Sequence, residues 1–382
     1  MKTNKLLAYI LFSAYSFIVN FSFFFLPLYL KTLHFQGTQI GVLMMLFAIT
    51  AILFSFKIGI LDDKYGSKTN LCLGFFLMIV FYAGLLLFKR FELYLLIFLL
   101  GGFGGSTLRV TLNSMFFKLV NPETKGKEIG IFNSLFLLFM ALGMLLGSLL
   151  LQYIGYENVF KISIILFSVL FMISFKIATL NVSIFETKSY LKDLFRKEVF
   201  WFSVIILLFT SHWGAETTIY SLFLENRFSL SIPQIGLFMG IPILFLGISS
   251  YFFGVKNDDN LSNTKILILS VILSGTGLIL FATVKNIYLA FLFRIIHEVG
   301  DGAFMVSSFV NIVKLFPNKR LGGNTGSMMV VMILGQSIGS YFFGFLSESY
   351  GYSIPLIIAG LFIFLPLFIL TNSKKKESLT NN

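Results

Sequence analysis

Four ionisable side chains fall within eight residues of one apolar run: Arg294, His297, Glu298 and Asp301, in the stretch Arg294-Ile-Ile-His297-Glu298-Val-Gly-Asp301. The run, about 287–315, is long enough to cross a bilayer as a helix. At about 1.5 Å rise per residue its middle lies near Gly300 and Asp301. Charge at that depth costs at least about 2.5–3.5 kcal/mol per group, so these side chains must face protein or water and never lipid. On a helix Arg294/Glu298 and His297/Asp301 are i,i+4 neighbours, and Arg294/His297 and Glu298/Asp301 are i,i+3. The chemistry open to such a set is proton transfer or the binding of a charged or polar solute. A cluster that only neutralises itself and cements packing is the alternative, and intramembrane charge favours the functional reading.

Three more ionisable groups lie deep in apolar runs: Arg109, and His212 with Glu216 at i,i+4. Lys57 sits near the end of its run and can snorkel to the surface. Asn20, with Ser16 and Tyr15, supplies a polar face to the first run, where isolated polar residues serve packing as often as binding. No HExxH occurs, and His212/Glu216 lacks a third ligand, so no metal and no cofactor is expected.

These groups need a frame, and composition says which. The 382 residues are 57% hydrophobic and only 12% charged, against roughly 25% charged in soluble domains. Apolar runs recur along the whole chain, which indicates a multi-pass helical membrane protein. The single cysteine, Cys72, excludes an intramolecular disulfide framework and a cysteine metal cluster. Lys2 and Lys5 precede the first run, 6–30, which is too long for a signal-peptide core and lacks an A-x-A cleavage site. It is expected to be an uncleaved first span.

Twelve spans are expected: 6–30, 40–60, 69–88, 93–117, 129–151, 159–178, 199–224, 234–253, 265–284, 287–315, 325–346 and 353–370. With the N-terminus inside, the cytoplasmic segments carry twenty lysines and arginines and the outer segments six. That bias places both termini in the cytoplasm. It also accounts for the net charge of +12, leaving no basic surplus that calls for nucleic acid.

The chain repeats itself. Gln39-Ile40-Gly41 recurs as Gln234-Ile235-Gly236, and Gly59-x-x-x-Asp63 as Gly254-x-x-x-Asp258, both at an offset of 195. Gly155-Tyr156 recurs as Gly351-Tyr352, and Gly143 pairs with Gly339, at 196. An even number of spans preserves direction, so residues 1–178 and 199–382 read as two parallel six-helix bundles. Between them, 179–198 is a cytoplasmic link. Leu191, Leu194 and Phe195 share one helical face there and Lys188, Lys192 and Arg196 another, the pattern of an interfacial amphipathic helix. A solvated charged linker is the alternative. Lys374, Lys375 and Lys376 read as a cytoplasmic anchor.

After the second span comes Gly59-Ile-Leu61-Asp62-Asp63-Lys64-Tyr-Gly66-Ser67-Lys68. This resembles the loop signature of the major facilitator superfamily, G-x-L-a-D-r-x-G-r-k. It matches at Gly59, Leu61, Asp63, Lys64, Gly66 and Lys68 and departs at Ser67, where the pattern has a basic residue. Pro122-Glu-Thr-Lys125-Gly126-Lys127 and Pro317-Asn-Lys319-Arg320-Leu-Gly322 are similar to that superfamily's loops after spans four and ten. The resemblance implies an all-α membrane fold of twelve helices in two repeats, with spans one, four, seven and ten lining a central cavity. Arg109, His212, Glu216 and the 294–301 cluster fall on those spans. It further implies that Asp63 sits at the N-terminus of span eleven, expected near Asn324, beside basic groups, as a latch made in one access state. The second loop, from Gly254 to Lys265, lacks most of the basic residues, so Asp258 is expected to matter less. Gly143 and Gly147 in span five, and Gly335 and Gly339 in span eleven, followed there by Gly344, have small-xxx-small spacing for close helix approach. The antiporter signature of span five has a Gly-Pro pair where this chain has Gly143-Met144.

The reading is a secondary active transporter of a small polar solute, working by alternating access at the midplane between the halves. Glu298, Asp301 and Glu216 are the candidate proton carriers, with His297 and His212 as partners or relays. Arg109 and Arg294 suit a carboxylate or phosphate, held bidentately, or neutralise the acids. Proton symport in the cytoplasmic (inner) membrane by a monomer, with lipid and a small-molecule substrate as partners, is the leading expectation. A drug or metabolite exporter by proton antiport is the runner-up, ahead of a membrane enzyme or channel.

Overall fold

A computed structural model describes residues 2–35, 37–177, 187–230, 232–259 and 261–371. Among them the regular elements are all helical, as an apolar surround demands: only a helix satisfies its backbone within its own segment. The helices are α1 (Lys2–Ser22), α2 (Leu26–Thr32), α3 (Gly37–Tyr65), α4 (Ser67–Leu87), α5 (Phe91–Phe117), α6 (Lys125–Ser174) and α7 (Thr187–Leu194). They continue with α8 (Lys197–Phe228), α9 (Ile232–Asp258), α10 (Asn263–Thr283), α11 (Ile287–Leu315), α12 (Leu321–Tyr350) and α13 (Ser353–Ile363).

Ten stretches are long and apolar enough to cross a membrane. One of them, α6, has 50 residues and is broken at Gly155, whose φ of +74° only glycine adopts without strain. It therefore supplies two crossings. The charged α11 is excluded from an apolar count by Arg294, Glu298 and Asp301 and supplies the twelfth. Gly351, between α12 and α13, has the matching φ of +67°, so the Gly155/Gly351 repeat is a repeated turn. The first crossing is interrupted by a 3-10 turn at Phe23–Phe25 before α2.

The chain divides into two compact units. Unit 1 holds Met1–Leu119, Leu135–Asp193 and Phe316–Val330, and unit 2 holds Val120–Ser134, Leu194–Leu315 and Val331–Asn382. In unit 1, a Cβ on Gly101 would meet the Phe81 ring and one on Gly104 the Leu77 side chain, so α4 and α5 approach closely. Gly143 and Gly147 pack on the backbone of Phe17 and Phe21. In unit 2, Gly335 and Gly339 pack on Leu207 and Ser211 in the same way. The core of unit 2 gathers Phe209, Tyr220, Phe223, Phe281 and Phe304, with Phe209 and Phe304 stacked at 3.5 Å. Of those rings, Phe209 packs edge-on to His212 and Tyr220 lies under Arg294, beside the charge cluster of α8 and α11.

Residues 178–186 of the central link and the lysines at 374–376 lie outside the described residues. Helix α7 lies in the link expected to carry an interfacial helix. Leu191 and Phe195 are exposed, whereas Tyr190 and Asp193 are buried. Both find polar partners in unit 1, as described below.

Candidate functional site

Helix α11 presents Arg294, His297, Glu298 and Asp301, all buried. As the i,i+4 spacing predicts, Arg294 pairs with Glu298. Across the helices the pairing is not the local one. The spacing in α8 joins His212 to Glu216, but Glu216 Oε1 accepts from both Arg294 and His297 Nε2, the latter at 2.8 Å. His212 instead reaches Asp301 Oδ2 at 3.1 Å. Glu216 thus takes a guanidinium and an imidazole from α11 rather than its neighbour one turn away. Arg294 also lies over the Tyr220 ring at 4.4 Å, a cation–π contact that shields the guanidinium from apolar surroundings.

Two further residues, invisible to a search for charge, complete the site. Trp213 Nε1 donates to Asp301 Oδ2 at 2.6 Å, and Ser274 Oγ on α10 donates to Asp301 Oδ1 at 2.6 Å. Ser274 is there because α10 and α11 nearly touch. A Cβ on Gly277 would lie 2.8 Å from His297 Cα, and one on Gly300 2.8 Å from Ser274 Cα.

The histidine partners count the protons. His212 Nδ1 faces the Phe209 carbonyl at 2.5 Å, and His297 Nδ1 faces the Ser274 carbonyl at 2.8 Å. A carbonyl only accepts, so both Nδ1 atoms carry hydrogen. Each Nε2 then faces a carboxylate oxygen, and each such contact needs one proton, on the ring or on the acid. Three carboxylates against one guanidinium leave two negative charges, which those two protons cancel.

His212, Glu216, His297 and Asp301 put one ligand-type atom each within 4.8 Å of one another. The third and fourth groups that His212/Glu216 lacked along the sequence thus come from α11. Arg294 already occupies the Glu216 oxygen, and Trp213, Ser274 and His212 occupy both oxygens of Asp301. Hydrogen bonds and one guanidinium account for the arrangement.

Arg109 and Asn20 lie in unit 1. The Asn20 amide donates to Ser16 O of its own helix at 2.8 Å. Arg109 is exposed on α5, and no ion pair engages it among the described residues.

In unit 1, Asp63 is buried and accepts from the backbone N–H groups of Gly322 at 3.1 Å and Gly323 at 2.9 Å. This is the start of α12, a little earlier than Asn324. Gly59 lets the chains cross, since its Cβ would lie 2.8 Å from Gly323 Cα. Gly66 begins α4 with φ +81°. The cation at Asp63 is not from its own loop: Lys64 is exposed over the Tyr65 ring, and neither it nor Lys68 touches Asp63 among the described contacts. It is Lys118, just past α5, at 2.7 Å from Asp63 and 2.8 Å from Asp62. Burial draws the Lys118 ammonium down, but the two aspartates outweigh it and hold its pKa raised. Lys64 stays exposed, whereas Lys118 is held between two carboxylates. From α7, Tyr190 donates to Asp63 Oδ2 at 3.1 Å, and Asp193 takes Arg320 bidentately at 2.7 and 2.9 Å and Asn324 at 3.0 Å.

The family model described as Major Facilitator Superfamily matches residues 7–256 and 212–382. An uncharacterized MFS-type transporter of Methanocaldococcus jannaschii is 24% identical over 343 residues, covering 85% of this chain and 86% of that protein. The human organic anion transporter MFSD10 (TETRAN) superposes with a TM-score of 0.79 at 13% identity, over 96% of this chain and 99% of that one. The E. coli fucose:proton symporter does so with 0.76 at 12% identity, over 97% and 98%. Those two likenesses are of fold.

Proposed function

The chain belongs to the major facilitator superfamily, a multi-pass membrane transporter rather than an enzyme, and on that premise we propose a proton-coupled symporter of a small polar solute. It works by alternating access in the cytoplasmic membrane, as a monomer with both termini inside. The observation that carries the coupling is the pair of histidine–carboxylate contacts in unit 2, each of which needs a proton. Arg294 is consumed by Glu216 and Glu298, so the solute-binding guanidinium is Arg109, which suits a carboxylate or phosphate on the substrate. That MFSD10 is an organic anion transporter and the E. coli protein a fucose:proton symporter accords with those two parts. The Asp63–α12 contact is the latch that α12 leaves in one access state.

Proton antiport with an exported solute is the second reading, weakened by Met144 in place of the antiporter signature's proline. A thermal-shift screen of metabolites on the purified protein selects stabilising solutes. Each is then added outside proteoliposomes carrying an internal pH dye. Symport acidifies the lumen and antiport alkalinises it. A stabilising solute that moves inward with no pH change overturns proton coupling.

A further inference from the structure

We propose that Ser274 is the proton relay between Glu216 and Asp301, so that the buried cluster is a wire with one entrance and one terminus. The inference rests on the proton-coupled reading and adds the path. Glu216 is the entrance because its side chain is 15% exposed, while those of His212, His297, Glu298 and Asp301 are between 0% and 4%. From Glu216 Oε1 the first step is 2.8 Å to His297 Nε2. From His297 Nδ1 the next is 3.1 Å to Ser274 Oγ, and from Ser274 Oγ it is 2.6 Å to Asp301 Oδ1. Asp301 Oδ2 then stands 3.1 Å from His212 Nε2. The direct route is closed: His297 Nε2 is 3.8 Å from Asp301 Oδ1, beyond hydrogen-bond reach. The serine hydroxyl is the group that both accepts from the imidazole and donates to the acid.

One proton crosses without gain or loss, starting with Glu216 protonated, Asp301 ionised and the proton of the His212–Asp301 contact on the His212 ring. Glu216 gives it to His297 Nε2. His297, now doubly protonated, releases its Nδ1 proton to Ser274 Oγ, and Ser274 gives its own hydroxyl proton to Asp301 Oδ1. The hydroxyl turns back toward Asp301, and His297 is left protonated on Nε2 until a ring turn or the return proton resets it. Arg294 faces Glu216 and Glu298 but not Asp301, so it tunes the entrance. Trp213 and His212 face the terminus, and an indole N–H donates without carrying the proton on. Gly277 and Gly300 hold the wire together, because a Cβ on either would push α10 off α11.

Trp213 also makes the wire observable. The chain has two tryptophans, and Trp201 is exposed and outside the site, so full-length Trp201→Phe leaves the indole that touches Asp301 as the single reporter. In nanodiscs, stopped-flow pH jumps are followed by Trp213 fluorescence. With Ser274→Ala the acid and alkaline end-points should stay as in the background while the approach slows about a hundredfold, the lower end of what a positioned proton-transfer group contributes. Ser274→Thr, which keeps the hydroxyl, should restore most of the rate. Glu216→Gln should slow the same signal, and decides the matter if Ser274→Ala does not fold. An unchanged rate in Ser274→Ala, or in Glu216→Gln where it stands in, overturns the relay and leaves coupling at Asp301 standing. No pH response of Trp213 in the background overturns the proton-coupled reading itself.

Discussion

Asp63 and Asp258, 195 positions apart, each cap a helix with two consecutive backbone N–H donors. Asp63 takes Gly322 and Gly323 at the start of α12 in unit 1, and Asp258 takes Gly126 and Lys127 at the start of α6, at 2.8 and 2.7 Å, in unit 2. The loops differ in basic residues, yet the caps are the same, because a helix N-terminus offers its first amides to any carboxylate that reaches it. The asymmetry lies around them: Asp63 is buried and also holds Lys118 and Tyr190, whereas Asp258 is half-exposed.

Asp63→Asn should therefore loosen the start of α12 more than Asp258→Asn does. A cysteine in place of the buried Ser327, in a Cys72→Ser background, reports it by thiol labelling. Removing about 1 kcal/mol from one side of a two-state balance shifts populations roughly fivefold, and labelling should rise accordingly. Equal labelling with and without Asp63→Asn removes the latch, and a larger rise in Asp258→Asn reverses the asymmetry.

Asp193 ties α7 to the same end of α12 through Arg320 and Asn324. A bidentate, largely buried pair should show coupling of about 1 kcal/mol in a double-mutant cycle of Asp193→Ala and Arg320→Ala, measured by thermal unfolding in detergent. Additive single effects mean that α7 does not fasten α12.

Glu216→Gln should abolish pH-gradient-driven accumulation about as fully as Asp301→Asn, while equilibrium exchange of the solute persists. The amide leaves His297 without a carboxylate and Arg294 with Glu298 alone. Full uphill transport by Glu216→Gln would show that protons enter elsewhere.

Arg109→Lys should fail to restore the solute-induced thermal stabilisation lost in Arg109→Ala, because an ammonium cannot reproduce the guanidinium fork. Undiminished stabilisation in Arg109→Ala assigns the residue a structural role.

Gly300→Ala should destabilise by about 1–3 kcal/mol, since its methyl would press on the α10 backbone at Ser270 and Ser274. Gly236→Ala is the control, as its Cβ meets nothing within 4 Å. Equal melting temperatures for the two would mean that the α10–α11 approach yields easily.

The chain's own periodicities determined the frame. Runs of apolar residues longer than a bilayer require helices, the 195–196 offset requires two repeats, and the spacing of Arg294 and Glu298 places both on one face of α11. The loop from Gly59 to Lys68 carries the resemblance to the superfamily by itself. What sequence reads are neighbours three and four apart on one helix. Partners across helices depend on how each helix is rotated and how deep it sits, and those are set where glycines such as Gly277 and Gly300 let backbones meet. So tertiary structure alone decided that His212 goes to Asp301 and Glu216 to Arg294 and His297, that Lys118 rather than Lys64 neutralises Asp63, and that Tyr190 and Asp193 turn inward. It alone drew in Ser274 and Trp213, because an uncharged hydroxyl or indole in an apolar run becomes part of a site only when packing brings a carboxylate to it.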